Sequence, residues 1–98
     1  MNMNALMQQA QRMQKDMQKK QEEIYKSEYT GTSEFVDVTL MGDKSVKKVT
    51  IKNKQLDSED IEILEDMIAI ALNDAISKID KDIDSKMGMY GKQLGGLF

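Results

Sequence analysis

The chain has no histidine, no cysteine, no proline and no tryptophan. Without imidazole or thiol it has no side chain that ordinarily titrates near neutrality. It has no Cys–His nucleophile, no thiolate or imidazole zinc site and no disulfide. The lack of cysteine fits a reducing compartment. Aromatic residues make up 5% of the 98 positions, too few to line an aromatic pocket. No apolar run approaches the ~18 residues of a transmembrane helix. The first residues lack the charged start and apolar stretch of a signal peptide. These absences predict a soluble, intracellular binding protein, not an enzyme, with no cofactor, no metal, no small-molecule substrate and no membrane partner.

What is present is charge, at 32% of positions, with a net value of −3. It is unevenly spread. Residues 1–24 hold four bases and three acids, residues 25–56 six bases and four acids, and residues 57–98 four bases and ten acids. The acidity therefore belongs to the last third, and the first half can still present a basic surface.

Periodicity divides the chain into elements, and its length allows one small domain, expected over residues 1–86. Met3, Leu6, Met7, Ala10, Met13, Met17 and Ile24 recur at three- and four-residue spacing, which predicts an amphipathic helix over residues 3–24. Its opposite face holds Gln8, Arg12, Lys15 and Lys19. From Tyr25 the period falls to two. Strands are expected at about 25–32, 35–41 and 46–53, with Gly42-Asp43-Lys44-Ser45 as the hairpin loop between the last two. A second helix is expected over 58–86, capped by Asp57 or Ser58. Its stripe is widest over 61–72, so the first half is expected to pack on the sheet and the second half to project. Residues 87–98 hold four of the six glycines and read as a flexible tail. The fold class is α+β: helix, three-stranded antiparallel sheet, helix. Two such long helices exceed what one short sheet can cover, which predicts a two-fold dimer. Leu40, Val49, Ile51, Leu64, Ile68 and Leu72 are its expected core and interface positions.

Three motifs carry little chemistry. Gly42-Asp43-Lys44-Ser45 lacks the glycines of a phosphate loop. Asp80, Asp82 and Asp84 alternate like a calcium loop but lack its Gly and terminal Glu. Glu62, Glu65, Asp66 and Asp74 have no nucleophile beside them and read as solvating charge. Two basic groups remain. Arg12, Lys15 and Lys19, with Gln8, Gln11 and Gln18, form a helix face that can reach phosphates and groove edges. The competing reading is an ordinary solvated face, with Asp16 pairing with Arg12 or Lys20. Lys47, Lys48, Lys52 and Lys54 read either as edge-strand protection or as phosphate contacts.

Several segments together resemble one family. Ala5-Leu6-Met7-Gln8-Gln9-Ala10-Gln11-Arg12-Met13-Gln14-Lys15, continued by Met17-Gln18-Lys19-Lys20-Gln21-Glu22-Glu23-Ile24, is similar to the N-terminal helix of the YbaB/EbfC family of bacterial nucleoid-associated proteins. Thr30-Gly31, Val38-Thr39-Leu40-Met41-Gly42 and Val49-Thr50-Ile51 resemble its strands. Leu64-Glu65-Asp66-Met67-Ile68, with Ala71-Leu72-Asn73-Asp74-Ala75, resembles its most specific signature, and Gly95-Gly96-Leu97-Phe98 its ending. The resemblance covers essentially the whole chain. It implies an intertwined homodimer with projecting helices, a cytoplasmic, nucleoid-associated location, and double-stranded DNA as the partner. Sequence specificity would be slight, with effects on gene expression, DNA organisation or recombination. On this reading Gln8, Arg12, Lys15, Lys19, Lys78, Lys81 and Lys86 approach DNA. The alternative is a protein–protein adaptor or small chaperone that uses the Met-rich helix face and binds no nucleic acid.

Overall fold

The computed structural model describes residues 2–88. Helix α1 spans Met3–Lys26, strands β1, β2 and β3 span Glu28–Thr32, Val36–Met41 and Val46–Ile51, and helix α2 spans Ile61–Met87. A short 3-10 turn, Ser58–Asp60, leads into α2. The α+β architecture is the expected one. The first helix runs two residues past Ile24, and β1 starts correspondingly later.

Local chemistry sets the boundaries. Asn2 caps α1 through its side-chain oxygen, which accepts from the Asn4 amide at 3.0 Å. Ser27 closes the helix, its hydroxyl donating to the Glu23 carbonyl at 2.7 Å. Before α2, Asp57 and Asp60 form a reciprocal capping box. The β2–β3 turn falls on Gly42–Ser45, as its composition predicts. Lys44 takes φ 69°, and the Asp43 carboxylate accepts from the Ser45 amide at 2.9 Å.

The sheet is antiparallel in the order β1-β2-β3. Its β2–β3 register slips between Thr39 and Leu40, where Thr39 faces Lys48 and Leu40 faces Val46. Val36, Val38 and Leu40 point to one side and are fully buried. Against them lie Ala71, Ala75, Ile79, Ile83 and Met87 of α2, and Ile24 at the end of α1. β1 runs antiparallel to α2 at close range. A Cβ on Gly31 would collide with the Ala71 carbonyl and the Ala75 amide, and one on Gly42 with the Ile24 carbonyl.

This arrangement reverses one expectation about α2. The buried stripe begins at Ala71 and runs to Met87, whereas Ile61, Ile63 and Ile70 in the first half are exposed. The second half is fully packed, while the first half reaches the core only through the half-buried Leu64, Met67 and Ile68. Small residues decide this: Ala71, Ala75 and Gly31 let helix and strand backbones meet, which a wider stripe of isoleucines does not.

The two edges of the sheet differ. Side chains of α2 occupy the free edge of β1. Asp74 accepts from the Thr32 amide at 3.0 Å, and Lys78 donates to the Thr30 carbonyl at 2.7 Å. Among the described residues no side chain hydrogen-bonds the outer edge of β3, and Val46 and Val49 on its apolar side are 58% and 48% exposed.

The molecule measures 70 × 19 × 16 Å. α2 accounts for only ~40 Å of this. Asn2 and residues 3–16 of α1 are exposed throughout and form a limb beyond the end of α2. The first turns of α2 form the opposite end.

Candidate nucleic-acid interface

The limb is where the basic face stands clear. Gln8, Arg12, Lys15 and Lys19 follow one another at four-, three- and four-residue steps, which places them in a row along one side of α1. All four are exposed. Asp16, the neutralising candidate, is held by Lys20 at 3.2 Å instead of Arg12. Arg12, Lys15 and Lys19 have no ion-pair partner among the described residues. The apolar stripe of Met3, Leu6, Met7 and Ala10 lies on the far side of the same helix.

The cations of α2 are situated differently. Lys78 pairs with Asp74 at 3.4 Å while it donates to the Thr30 carbonyl. Lys86 pairs with Asp82 at 3.2 Å. The same Asp82 carboxylate accepts a hydrogen bond from the Tyr29 hydroxyl. Burial, then that bond and the nearby negative charge, push the Tyr29 hydroxyl pKa up to about 12. Lys81 is exposed and has no ion-pair partner among the described residues. Asp74 is held below the usual carboxylate range, first by the Thr32 amide and then by Lys78. Lys78 thus fastens α2 to itself and to β1, and Lys86 is paired within α2.

The β3 lysines divide in the same way. Lys47 pairs with Glu28, and Lys52 with Asp37 at 3.2 Å. The Asp37 carboxyl is lowered by a hydrogen bond from Thr32 and by Lys52. Lys48 and Lys54 have no ion-pair partner among the described residues. Of the expected core and interface positions, Leu40 is fully buried. Ile51, Leu64, Ile68 and Leu72 are half-buried, and Val49 is half-exposed.

One residue extends the row unannounced. Lys26 lies seven positions after Lys19, on the same side of α1, and is exposed. The heptad step from Lys19 was its only signal, hidden because the periodicity ended the helix at Ile24. Among the described residues there is no cluster of three or more acidic side chains able to hold a metal ion. No helix among them is long and apolar enough to cross a membrane.

A helix–sheet–helix chain with an unpaired cationic row on an outstretched helix has the form of a polyanion-binding protein. The sequence pattern of the YbaB/EbfC DNA-binding family matches residues 1–94, and the chain belongs to that family. Relatives agree along nearly their whole length. A nucleoid-associated protein of Enterococcus faecalis is 39% identical over 98 residues, covering 98% of this chain and 94% of the relative. The nucleoid-associated protein LL0120 of Lactococcus lactis subsp. lactis is 44% identical over 96 residues, covering 96% and 97%. One from Ligilactobacillus salivarius is 37% identical over 99 residues, covering 99% and 95%.

Proposed function

We propose that this chain is a nucleoid-associated protein that binds double-stranded DNA as a homodimer, with little sequence preference. The observation that carries the reading is the α1 row, in which Arg12, Lys15 and Lys19 face solvent and no described carboxylate neutralises them. Phosphates are the natural complement of such a row. Gln8 adds an amide that can reach a phosphate or a base edge. The net negative charge does not oppose this. Asp57, Glu59, Asp60, Glu62, Glu65 and Asp66 cluster at the start of α2, the end of the molecule away from the limb. Charges that far apart in salt solution are largely screened from one another. Lys81 is the α2 cation best placed to join; Lys78 and Lys86 would first have to leave their carboxylates.

The homodimer follows from the uncovered surface. The outer edge of β3 is open where that of β1 is capped. Val46 and Val49 beside it are 58% and 48% exposed, and Ile63 and Ile70 of α2 are 46% and 52% exposed, apolar side chains for a second copy to cover. A second copy meeting this face would cover it and carry two limbs to one duplex. Val49, Ile51, Leu64, Ile68 and Leu72 would then be interface positions. This is the chemistry of a binding protein in the nucleoid, not of an enzyme. Family membership does not favour the adaptor alternative.

A salt titration of binding to random-sequence duplex tests the reading. Three free cations on each of two limbs neutralise about six phosphates, so log K falls with log salt at a slope of about −5. The triple variant R12A/K15A/K19A loses more than about 100-fold in affinity at low salt while remaining dimeric by light scattering. Salt-independent binding, or an unaffected triple variant, would overturn it.

A further inference from the structure

The apolar side of α1 is covered at one end only. Ile24 is fully buried and Met17 half-buried against the core, but Met3, Leu6 and Met7 are 73%, 42% and 58% exposed. This side faces away from Arg12, Lys15 and Lys19, so a duplex bound to the cationic row leaves it bare. The cover ends where α2 ends. Met87 is buried in the same cluster that Met17 packs against, and Gly88 then turns the backbone at φ 54°. Ten further residues follow, with Met89, Tyr90, Leu94, Leu97 and Phe98 among them, a single cation in Lys92 and no acid. An extended segment of that length reaches ~33 Å. The helix from Met17 to Met3 is ~21 Å long. The segment leaves the core beside the covered end of the stripe, and it is long enough to follow the stripe to its tip.

We propose that residues 89–98 dock on the Met3–Leu6–Met7 side of α1 in the same chain, with Leu97 and Phe98 against the tip of the limb. The two surfaces match in kind. Each is apolar and carries no acidic side chain over the stretch concerned. Docking would cover the methionines and bring the Lys92 side chain to the limb. The proposal does not depend on DNA.

The absence of cysteine supplies the test. A nitroxide is placed on Gln14→Cys, an exposed position beside the stripe, in the full chain labelled with 15N. The expected result is at least a twofold loss of amide intensity at Leu94, Leu97 and Phe98 relative to the reduced label. In the same labelled chain, Leu6→Lys with Met7→Lys restores that intensity, while an unchanged circular dichroism spectrum shows the helices intact. An equal mixture of spin-labelled 14N chain and unlabelled 15N chain shows no loss. Undiminished signals in the first sample would overturn the proposal, as would a loss that survives the lysine substitutions. Loss in the mixed sample would place the segment on a second copy and overturn docking within the chain.

Discussion

Two sets of basic residues sit on the two long helices, and they have opposite fates. On α1, Arg12, Lys15 and Lys19 have no ion-pair partner among the described residues. On α2, Lys78 and Lys86 are engaged by Asp74 and Asp82, and Lys78 also caps the edge of β1. A count of lysines ranks the helices about equally; their partners do not. A cation already satisfied by a carboxylate releases little when a phosphate arrives, because it exchanges one anion for another and must give up its existing geometry. On the proposed reading, the capacity to bind a polyanion lies in unpaired charge, and net charge is a poor guide to it.

The contrast can be broken outright. If it holds, R12A/K15A/K19A abolishes most duplex binding, whereas K78M/K86M changes affinity by less than about threefold at the same salt. The α2 pair should instead lower the thermal midpoint, since Lys78 ties α2 to β1 and Lys86 holds Asp82, which accepts from the Tyr29 hydroxyl. Comparable losses of affinity from the two variants would erase the distinction. Filter binding together with a melting curve on each variant decides it.

A smaller effect sharpens the comparison. Asp16 holds Lys20 at 3.2 Å and is an acid on the limb. Asp16→Asn removes that charge and frees Lys20. Affinity for duplex should rise roughly threefold to tenfold at low salt, and the salt slope should steepen by up to about two for a dimer. An unchanged slope would mean that Lys20 stays out of reach of phosphate.

The smallest effects concern pH. The chain has no histidine, so affinity for duplex should be flat between pH 6 and 8, as a gel-shift series would show. Stability behaves differently in acid. Asp37 and Asp74 are both lowered in the fold, so their contribution is complete above the ordinary carboxylate pKa. It is lost as pH falls through their depressed values. Chemical denaturation should therefore show constant stability from pH 5 to 8 and a decline below about pH 4, shallower in Asp74→Asn.

Much of this fold was legible in the residues. The three-and-four spacing from Met3 to Ile24, the alternation of Val36, Val38 and Leu40, and the turn at Gly42–Ser45 all appear in place. The division of α2 was not legible, because a stripe reports only which residues are apolar. Which part of it is buried depends on where Gly31 meets Ala71 and Ala75, a contact between segments forty residues apart. The candidate site divided likewise. The α1 row was visible as spacing on one helix. The engagement of Lys78 could not be seen, since its partner carbonyl at Thr30 comes within reach only once β1 lies along α2. Lys26 was missed by two residues of helix.

The glycine seats have a mechanical corollary. Where Gly31 meets α2 and Gly42 meets the end of α1, main chain rests on main chain with no layer of rotatable groups between. Such a joint has little play. The limb therefore inherits its bearing from the sheet, like a jaw cast in one piece with its handle, and the gap between two such jaws would be a fixed gauge set by the joint.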